Sequence, residues 1–441
     1  MSVAKALVSS WGNLGRVEHL TATPAFRDEL PATLAELIRQ GGSVLGYGLG
    51  RSYGDSCLNG GGGLLITDRL DRCLSFDTTT GILRAEAGLS IAEINRLSIP
   101  KGWFVPVTPG TKFVTLGGAV ANDVHGKNHH VTGTFGRHVR RLALRRSDGS
   151  VTECAPDHES DLLRATIGGL GLTGLIEWVE IGLQPISSAE IEMESIRFSN
   201  VDAFFDLSAD SASWPYTVSW IDVLSQGSSL GRGIFMRGRH ATTGPLNPKV
   251  SGKALTVPFT PPVGLVRPLS VRLFNEAYYR RPGATFCGRT HFDPFFYPLD
   301  SVHHWNRVYG PRGFFQYQSV LPPEAARAGT REMLKQIAAS GQGSCLVVLK
   351  NFGDLPSAGM LSFPAVGTTL ALDFPNRGER TLALFAALDA VVSKAGGRLY
   401  AGKDARMSPA MFRAGYPELK DFSRFVDPAF ASDFQRRVMQ G

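Results

Sequence analysis

The first hydrophobic pattern along the chain predicts an amphipathic helix followed by short strands. In residues 24–42 apolar side chains recur at helical spacing, and Gly41 and Gly42 end the pattern. Short apolar runs at 43–48 and 63–68 are typical of strands. A second helix is predicted after Ser90, because Ser90 and Glu93 have the spacing of a capping box. The run LALRRSDGSVTECA predicts a hairpin, with Asp148-Gly149 at its turn.

Beyond about residue 187 the pattern changes to longer strand-like runs that are mixed with two long helices. Such an order predicts an α+β domain with a broad antiparallel sheet and flanking helices. Residues 240–285 are rich in proline and predict an irregular, loop-like segment. The predicted strands and helices are IEMESIRF, YTVSWIDVL, RGIFMRGR, GFFQYQSVL, SCLVVLKNF and TTLALDFP, with helices at PPEAARAGTREMLKQIAAS and RTLALFAALDAVVSKAGG. We therefore expect two domains, 1–187 and 188–394.

Length and composition agree with this picture and exclude several classes of protein. A chain of 441 residues is long enough for two domains, and 43% hydrophobic with 19% charged residues excludes a disordered chain. The five cysteines are scattered and form no CxxC pair, which argues against a disulfide framework or a zinc site and fits a reducing compartment. The first residues lack the apolar core of a secretory signal, and no apolar run is long enough to span a bilayer.

The net charge of +7 permits anionic partners, but its distribution does not specify one. The basic residues are dispersed along the chain, and no nucleic-acid-binding motif is present. A basic surface that is simply solvated explains the charge equally well. We expect a cytoplasmic protein that does not bind nucleic acid.

A histidine-rich stretch, AVANDVHGKNHH at 119–130, raises the question of a metal site. His125 and His129 are four residues apart, a spacing at which two helical histidines can share zinc. Gly126 interrupts such a helix, however, and no acidic residue stands where a metalloprotease has its base. We predict no metal here.

Three glycine-rich loops in the first half indicate close approach of the backbone to a ligand. The loop at 46–56, GYGLGRSYGDS, follows a strand, but no long helix follows it, so a Rossmann unit is disfavoured. Its N–H groups could still cradle a pyrophosphate. In the second loop, at 105–130, Thr115 could cap a short helix at Gly117-Gly118, and the small residues would admit a flat ring. The third, GGLGLTG at 168–174, could like the others be an ordinary turn.

The order of these motifs resembles the p-cresol methylhydroxylase/vanillyl-alcohol oxidase superfamily of FAD oxidoreductases. Within it, the chain is similar to the family of flavoprotein oxidase subunits of decaprenylphosphoryl-β-D-ribose 2'-epimerases. The resemblance covers almost the whole chain, and GRSYGD with HGKNHH is fairly specific. The motifs that carry it are WGNLGR, GLGRSYGD, PGT–x3–TxGGAxAxDxHGKNHH, GGxGLTG, WNRVYGP, GFFQYQ, LDFP, GGRLYAGKDAR and FASD.

The resemblance implies an α+β, two-domain FAD-binding fold of the PCMH/VAO type. The FAD domain would consist of two α/β subdomains, and residues 395–441 would return to it. Residues 46–56 would hold the pyrophosphate, and further residues would line the rest of the cofactor. The implied FAD-binding residues are Gly46, Tyr47, Gly48, Leu49, Gly50, Arg51, Ser52, Tyr53, Gly54, Asp55, Ser56, Gly110, Thr115, Leu116, Gly117, Gly118, Asn122, Asp123, Val124, His125, Ile176 and Tyr400.

Arg51 stands where many relatives carry the histidine that binds the flavin covalently. Those relatives have a GxGHS loop, whereas this chain reads Gly-Leu-Gly-Arg-Ser at 48–52. Arginine is not a nucleophile at neutral pH, so we expect FAD to be bound non-covalently.

The chemistry implied by the resemblance needs a proton acceptor and positive charge beside the flavin. His125 is the candidate for proton exchange, although a structural histidine is nearly as good an interpretation. His129 and His130 are interpreted as packing residues. Lys403, which matches the family's lysine, could stabilise negative charge, whereas alone it would be read as a surface ion pair with Asp404.

Lys350, Gln318 and Tyr53 are further candidates for catalytic residues, and Trp220 and Ala371 are candidates for substrate contact. Lys350 and Gln318 could reach the pocket or mark exposed strand ends, and the aromatic rings of Tyr53 and Trp220 could be pocket walls or core. Family members from arabinan-making bacteria typically carry cysteine where this chain has Ala371, which leaves the oxidation possible but the exact sugar less certain.

The predicted activity is FAD-dependent oxidation of the 2'-hydroxyl of polyprenylphosphoryl-β-D-ribofuranose to a ketone. An NAD(P)H-dependent short-chain reductase would complete the epimerisation to the arabinose form. The alternatives are a soluble alditol or aldonolactone oxidase of the same superfamily and a membrane-associated binding protein without activity.

A lipid-linked substrate also calls for a surface that can meet a membrane. The apolar stretch from residue 250 to residue 283 could contact anionic lipid peripherally at the inner face of the membrane. An ordinary packed loop is an equally good interpretation. The basic residues of this stretch are Lys253, Arg267, Arg272, Arg280 and Arg281, opposed by Glu276.

Overall fold

The computed structural model describes residues 3–249 and 255–439, which form an α+β fold around three large sheets. The strands are β1 Ala4–Val8, β2 Val17–Ala22, β3 Val44–Tyr47, β4 Gly63–Ile66, β5 Cys73–Asp77, β6 Ile82–Glu86, β7 Trp103–Phe104, β8 Val139–Arg145, β9 Val151–Cys154, β10 Leu175–Gly182, β11 Gln184–Pro185, β12 Glu190–Phe198, β13 Tyr216–Ile221, β14 Gly233–His240, β15 Leu255–Thr256, β16 Phe286–His291, β17 Val302–His303, β18 Phe314–Leu321, β19 Val347–Phe352, β20 Gly367–Pro375 and β21 Arg398–Leu399. The α-helices are α1 Leu30–Gly41, α2 Ile91–Ser98, α3 Leu116–Ala121, α4 His129–Thr132, α5 Ser160–Thr166, α6 Val201–Asp210, α7 Pro268–Arg280, α8 Phe292–Phe296, α9 Pro323–Ser340, α10 Glu379–Lys394, α11 Pro409–Gly415, α12 Leu419–Phe422 and α13 Asp433–Val438.

The first sheet is four-stranded, in the order β1-β2-β4-β3, with β4 parallel to both β2 and β3. Helix α1 covers it, as the periodic pattern predicts, and buries Leu30, Leu34 and Leu37 completely or nearly so. Gly42 ends the helix with a left-handed φ of 69°. The strand β3 runs directly into the first glycine loop, so this sheet positions that loop.

The second sheet is five-stranded and antiparallel, in the order β5-β6-β10-β8-β9. The predicted hairpin is β8–β9, with Gly149 at a φ of 87° in its turn. The predicted cap of α2 is also present, because the backbone N–H of Glu93 donates to Ser90 Oγ at 3.2 Å. Helix α3 packs beside this sheet and lies within the second glycine-rich stretch, 105–130.

The third sheet is eight-stranded, in the order β16-β12-β14-β13-β19-β20-β18-β21. Its neighbouring strands pair antiparallel, and the long helices α9 and α10 bury their apolar faces in one core with it. This is the predicted broad antiparallel sheet. Because β18, β19 and β20 are adjacent, their side chains on one face stand together against the first half of the chain.

The segment 240–285 is only partly irregular, so the loop prediction is wrong for its second half. Residues 268–280 form the helix α7, with Pro268 at its first position, where the missing N–H of proline costs nothing. The loop was predicted because prolines lie on both sides of this helix, whose Leu269 and Leu273 are exposed. Lys253 lies outside the described residues. Among the residues that are described, no helix is both long and apolar enough to cross a membrane.

The C-terminal residues contact both halves of the chain. Strand β21 pairs with β18 of the eight-stranded sheet. Further on, Phe430 forms a parallel bridge to Val44, and the backbone N–H of Gly60 donates to Asp433 at 2.9 Å. The C-terminal segment thus closes the first sheet after leaving the third.

Candidate functional site

A cavity of about 780 Å³ lies between the glycine loops of the first half and the inner face of the eight-stranded sheet. Most of the residues predicted for the site line it. They are Gly46, Tyr47, Gly48, Leu49, Gly50, Arg51, Ser52, Tyr53, Ser56, Gly110, Thr115, Gly117, Gly118, Asn122, Val124, His125, Ile176, Trp220, Gln318, Lys350, Ala371, Tyr400 and Lys403.

The first glycine loop presents its backbone to this cavity. Gly50 has a φ of 60°, and a Cβ atom on Gly48 would lie 2.4 Å from Thr115 Oγ1. Within the described residues, the backbone N–H groups from residue 48 to residue 53 have no hydrogen-bond acceptor. Successive backbone N–H groups that face a cavity can bind an anion, so this row of N–H groups fits a ligand such as a pyrophosphate.

The second glycine loop continues the same wall. Thr115 caps α3 as predicted, because its Oγ1 accepts the backbone N–H of Gly118 at 3.1 Å, although the helix begins one residue before Gly117. A Cβ atom on Gly117 would lie 2.8 Å from the Cβ of Ala87. Only a residue without a side chain fits there, so the backbone at Gly117 packs closely on Ala87 and presents no side chain to the cavity.

Four predicted residues do not line the cavity. Gly54 packs against the backbone of Asp404, and Asp55 forms a salt bridge with Arg437 at 2.8 Å. Leu116 belongs to the hydrophobic core. Asp123 is fully buried, and its carboxylate accepts the backbone N–H of Gly136 at 2.7 Å and the hydroxyl of Ser362 at 2.5 Å. These four residues support the loops and do not face the cavity.

His125 lies at the centre of a polar network on the sheet side of the cavity. Gln318 Nε2 is 3.0 Å from His125 Nε2, and Lys350 Nζ is 3.0 Å from His125 Nδ1. Lys350 also donates to the backbone oxygen of Gly126 at 2.5 Å. Gln318 and Lys350 are 5% and 7% exposed, so they are not exposed strand ends. Both reach inward from the sheet and hold the histidine from two sides.

Burial and mutual repulsion shift the pKa values of these basic groups. Desolvation, with the neighbouring Lys350 charge, holds the pKa of His125 well below its usual value. Desolvation and the charges of Lys127 and Lys403 do the same for the pKa of Lys350. The pKa of Lys127 falls to about 8 through burial alone. The site therefore favours neutral forms of groups that are cationic in water.

Lys403 has a different setting, because a carboxylate accompanies it. Its Nζ lies 4.0 Å from the centroid of the Tyr53 ring. Burial lowers the pKa of Lys403 to about 8, and the nearby Asp373 opposes that shift. Burial raises the pKa of Asp373 to about 7. Lys403 is thus not a surface partner of Asp404, whose carboxylate pairs with Arg437.

The two later histidines of the stretch 119–130, His129 and His130, contact neighbouring residues and do not line the cavity. His129 is 1% exposed against the Phe352 ring, and neither of its ring nitrogens has a partner in the described residues. His130 Nε2 lies 2.8 Å from the backbone oxygen of Trp214. Within the described residues, no group of three His, Cys, Asp or Glu side chains has the arrangement of a metal site.

Several residues that line the cavity were not predicted from the sequence. Asp373 follows Ala371 by two positions on β20, and residues at that spacing share one face of a strand, so its inward position was predictable. The others gave no comparable local signal. They include Lys127, Cys345, Phe274, Tyr278 and Arg281.

The sequence of this chain is similar to those of known flavoproteins. Residues 19–155 match the family model described as an FAD binding domain, which confirms FAD as the predicted cofactor. The decaprenylphosphoryl-beta-D-ribose oxidase of Mycolicibacterium smegmatis is 37% identical over 414 residues, 90% of this chain and 89% of that protein. An uncharacterized protein of Streptomyces coelicolor is 34% identical over 79% of this chain and all of its own length. The D-arabinono-1,4-lactone oxidase of Yarrowia lipolytica is 23% identical over 40% of this chain and 34% of its own.

Proposed function

The chain belongs to the decaprenylphosphoryl-β-D-ribose oxidase family of FAD-dependent oxidoreductases, and from this premise we propose its substrate. We propose that it oxidises the 2'-hydroxyl of a polyprenylphosphoryl-β-D-ribofuranose to the 2'-ketone, the first half of an epimerisation to the arabinose form. One observation carries the proposal. A single cavity joins glycine loops that fit FAD to a wall of buried basic and amide side chains.

The glycine wall is proposed to bind FAD without a covalent bond. The free N–H groups of residues 48–53 would bind the pyrophosphate, and the flat surface at Gly117 and Gly118 would receive the ring. Arg51 is held by the Trp11 ring, 4.2 Å from its Cζ, and by the backbone oxygen of Leu49. Bound FAD supplies the oxidising power, because its ring accepts the two electrons of an alcohol oxidation.

The sheet wall is proposed to position and activate the sugar. His125 would receive the hydroxyl proton, with Gln318 and Lys350 fixing the orientation of its ring. Lys403 would stabilise negative charge that develops during the reaction, and the Tyr53 ring would hold its ammonium in place. Trp220 and Ala371 would form the walls beside the sugar, and the Trp220 indole is fixed by donating to the backbone oxygen of Cys345 at 3.0 Å.

The domain boundaries remain part of this proposal. Residues 1–187 would form the FAD-binding domain, residues 188–394 the substrate domain, and residues 395–441 the returning segment. The division is supported by the strand order, because the first two sheets end at β10 and the third begins at β12. The contacts of Phe430 and Asp433 with the first sheet support the return of the C-terminal segment.

The surface around α7 is proposed to meet the membrane that holds the lipid-linked substrate. Leu269 and Leu273 are 70% and 65% exposed, which supports a contact surface over a packed loop at these residues. Phe274 and Tyr278 of the same helix line the cavity, so an apolar path joins this surface to the site. Basic side chains flank it, and Glu276 is neutralised by Arg232 at 2.5 Å. The flanking basic residues are Arg267, Arg272, Arg280 and Arg281.

The oxidation is tested by anaerobic mixing of the holoprotein with a polyprenylphosphoryl ribose while flavin absorbance is recorded. We expect bleaching with this substrate, and none with free alditols or aldonolactones. Bleaching by an alditol or aldonolactone without any by the lipid-linked ribose would replace the proposal with the soluble oxidase. Bleaching by none of them would favour the binding protein. When an NAD(P)H-dependent reductase is added after the lipid-linked ribose has been oxidised, it should convert the ketone into the arabinose epimer.

The membrane contact is tested with sedimenting vesicles of phosphatidylglycerol and of phosphatidylcholine. We expect binding to the anionic vesicles, weaker binding at high salt, and loss of binding in the double variant Leu269→Ser/Leu273→Ser. Leu382→Ser is the matched control, since Leu382 is also exposed but lies on α10. Equal loss in the control, or unchanged binding in the double variant, would contradict this surface.

A further inference from the structure

The hydrogen-bond network around His125 determines where its protons lie. Four groups form a chain: the Gln318 amide, the His125 ring, the Lys350 side chain and the backbone oxygen of Gly126. Each contact needs one donor and one acceptor. One hydroxyl next to the chain fixes the direction of all of them.

That hydroxyl belongs to Thr369. Its Oγ1 lies 2.8 Å from the backbone oxygen of Ser319, and because a carbonyl only accepts, the single hydroxyl hydrogen points there. Thr369 Oγ1 can therefore only accept from the Gln318 amide, 3.2 Å away. The amide atom that faces it must be the NH2 group. The orientation of Gln318 follows from this requirement.

The same NH2 group lies 3.0 Å from His125 Nε2, so this nitrogen accepts and carries a lone pair. A neutral imidazole with a lone pair on Nε2 has its proton on Nδ1. Nδ1 faces Lys350 Nζ at 3.0 Å and must donate to it. An ammonium group has no lone pair and cannot accept. Lys350 must then be an amine, and one of its hydrogens goes to the backbone oxygen of Gly126.

We propose that Lys350 is a neutral amine in the resting protein and stores the substrate hydroxyl proton, which reaches it through His125. The groups whose charges act on Lys350 are Lys127 and Lys403, and those acting on His125 are Lys350, His129 and Lys403. All of them are basic, so a positive charge on Lys350 is opposed from each side. Burial acts in the same direction, since Lys350 is 7% exposed.

The use of this amine during turnover rests on the proposed oxidation. A substrate hydroxyl that takes the place of the Gln318 amide would face the Nε2 lone pair. The O–H bond then breaks and its proton goes to His125 Nε2, while the Nδ1–H proton moves to Lys350 Nζ and makes it an ammonium. The carbinol hydrogen leaves with its electron pair, with FAD as the two-electron acceptor, and the carbon–oxygen double bond forms. His125 ends neutral, with its proton on the other nitrogen.

The direct test is ¹⁵N NMR of the holoprotein labelled at histidine, recorded without substrate near pH 7. We expect the His125 signals to show a protonated Nδ1 and an unprotonated Nε2. Lys350→Arg places a permanent cation without a lone pair at Nδ1, so it should move the proton to Nε2. Lys350→Met, similar in length but neutral, should leave the Gln318 contact in place and serves as the matched control. The His125 signals are identified by their absence from the spectrum of His125→Gln.

A wild-type His125 with its proton on Nε2, or with protons on both nitrogens, would overturn the proposal. So would a Lys350→Arg spectrum with the same proton position as the wild type. If Lys350→Arg does not fold, the wild-type spectrum alone decides. Because the measurement needs no substrate, it is independent of whether lipid-linked ribose is oxidised. If the lipid-linked ribose is oxidised, single-turnover flavin reduction should be slower by about 10²-fold or more in Lys350→Met, with FAD still bound.

Discussion

The two walls of the cavity are built in opposite ways. On the wall of residues 46–53 and 115–118, backbone N–H groups and glycine Cα atoms are presented, and side chains added at Gly48 or Gly117 would collide with neighbours. On the wall of β18, β19 and β20, the groups presented are long side chains that extend from a fully hydrogen-bonded sheet. The first wall depends on side chains being absent, whereas the second depends on particular side chains being present. Substitutions on the first wall should therefore lower FAD binding and stability, whereas substitutions on the second wall should lower the reaction rate.

The largest expected effect is on the glycine wall, in Gly48→Ala. The new Cβ would lie 2.4 Å from Thr115 Oγ1, which caps α3. Both the helix cap and the first glycine loop should therefore be displaced. Overpacking and a lost cap together should lower the free energy of unfolding by about 2–4 kcal/mol. Most of the FAD should be lost on purification. The checks are the ratio of flavin to protein absorbance and chemical denaturation.

Gly15→Ala is the matched control for this substitution. A Cβ atom there has no neighbour within 4 Å, and Gly15 lies outside the cavity. It should keep both FAD and stability. Normal flavin content in Gly48→Ala would show that the glycine wall does not depend on missing side chains.

The next effect is on the rate, in Lys403→Met. Methionine keeps the apolar part of the side chain against Tyr53 but removes the charge. Because the loss affects only charge that develops during the reaction, we expect flavin reduction to slow by about 10²- to 10³-fold. The protein should stay folded with FAD bound. Stopped-flow absorbance measures the rate, and a variant that loses FAD instead would place Lys403 with the glycine wall.

In the wild type, the pH dependence of flavin reduction should follow the titration of Lys403. The pKa of Lys403 is lowered to about 8, so its ammonium is present below that pH and lost above it. Flavin reduction should therefore decline as pH rises through about 8, by up to the factor lost in Lys403→Met. The variant should show no such decline. An alkaline limb that persists unchanged in Lys403→Met would assign it to another group, such as Lys127.

The glycine wall was the more predictable of the two from the sequence. Turns, caps and glycine loops are local, so Thr115, the hairpin at Gly149 and the loop at 46–56 could be read from neighbouring residues. Gly54, Asp55, Leu116 and Asp123 were predicted with their neighbours because they lie in the same motifs, but they contact other parts of the protein and not the cavity.

The sheet wall depends on contacts that no local pattern contains. His125 meets Gln318 and Lys350 across 193 and 225 positions, so the sequence could not distinguish a buried lysine from an exposed strand end. The helix α7 was missed for a related reason. Prolines on both sides of it are typical of a loop, and the local pattern does not reveal that Pro268 stands at the first helical position, where proline is tolerated.

The smallest expected effect is Ala371→Cys, which restores the residue typical of arabinan-making relatives. Ala371 lies between Gln318 and Val348 on neighbouring strands and lines the cavity, so a thiol adds one heavy atom to a wall that borders open space. Alcohol oxidation needs no thiol here, and we expect kcat/KM to fall by less than about threefold, within the range of a small packing change. Ala371→Leu is the matched comparison, since it adds three heavy atoms at the same place. It should raise KM for the lipid-linked sugar more than it lowers kcat, because the bulk competes with the sugar and leaves His125 and Lys350 in place. A large fall in kcat for the cysteine variant would mean that the sheet wall, like the glycine wall, depends on a side chain being small.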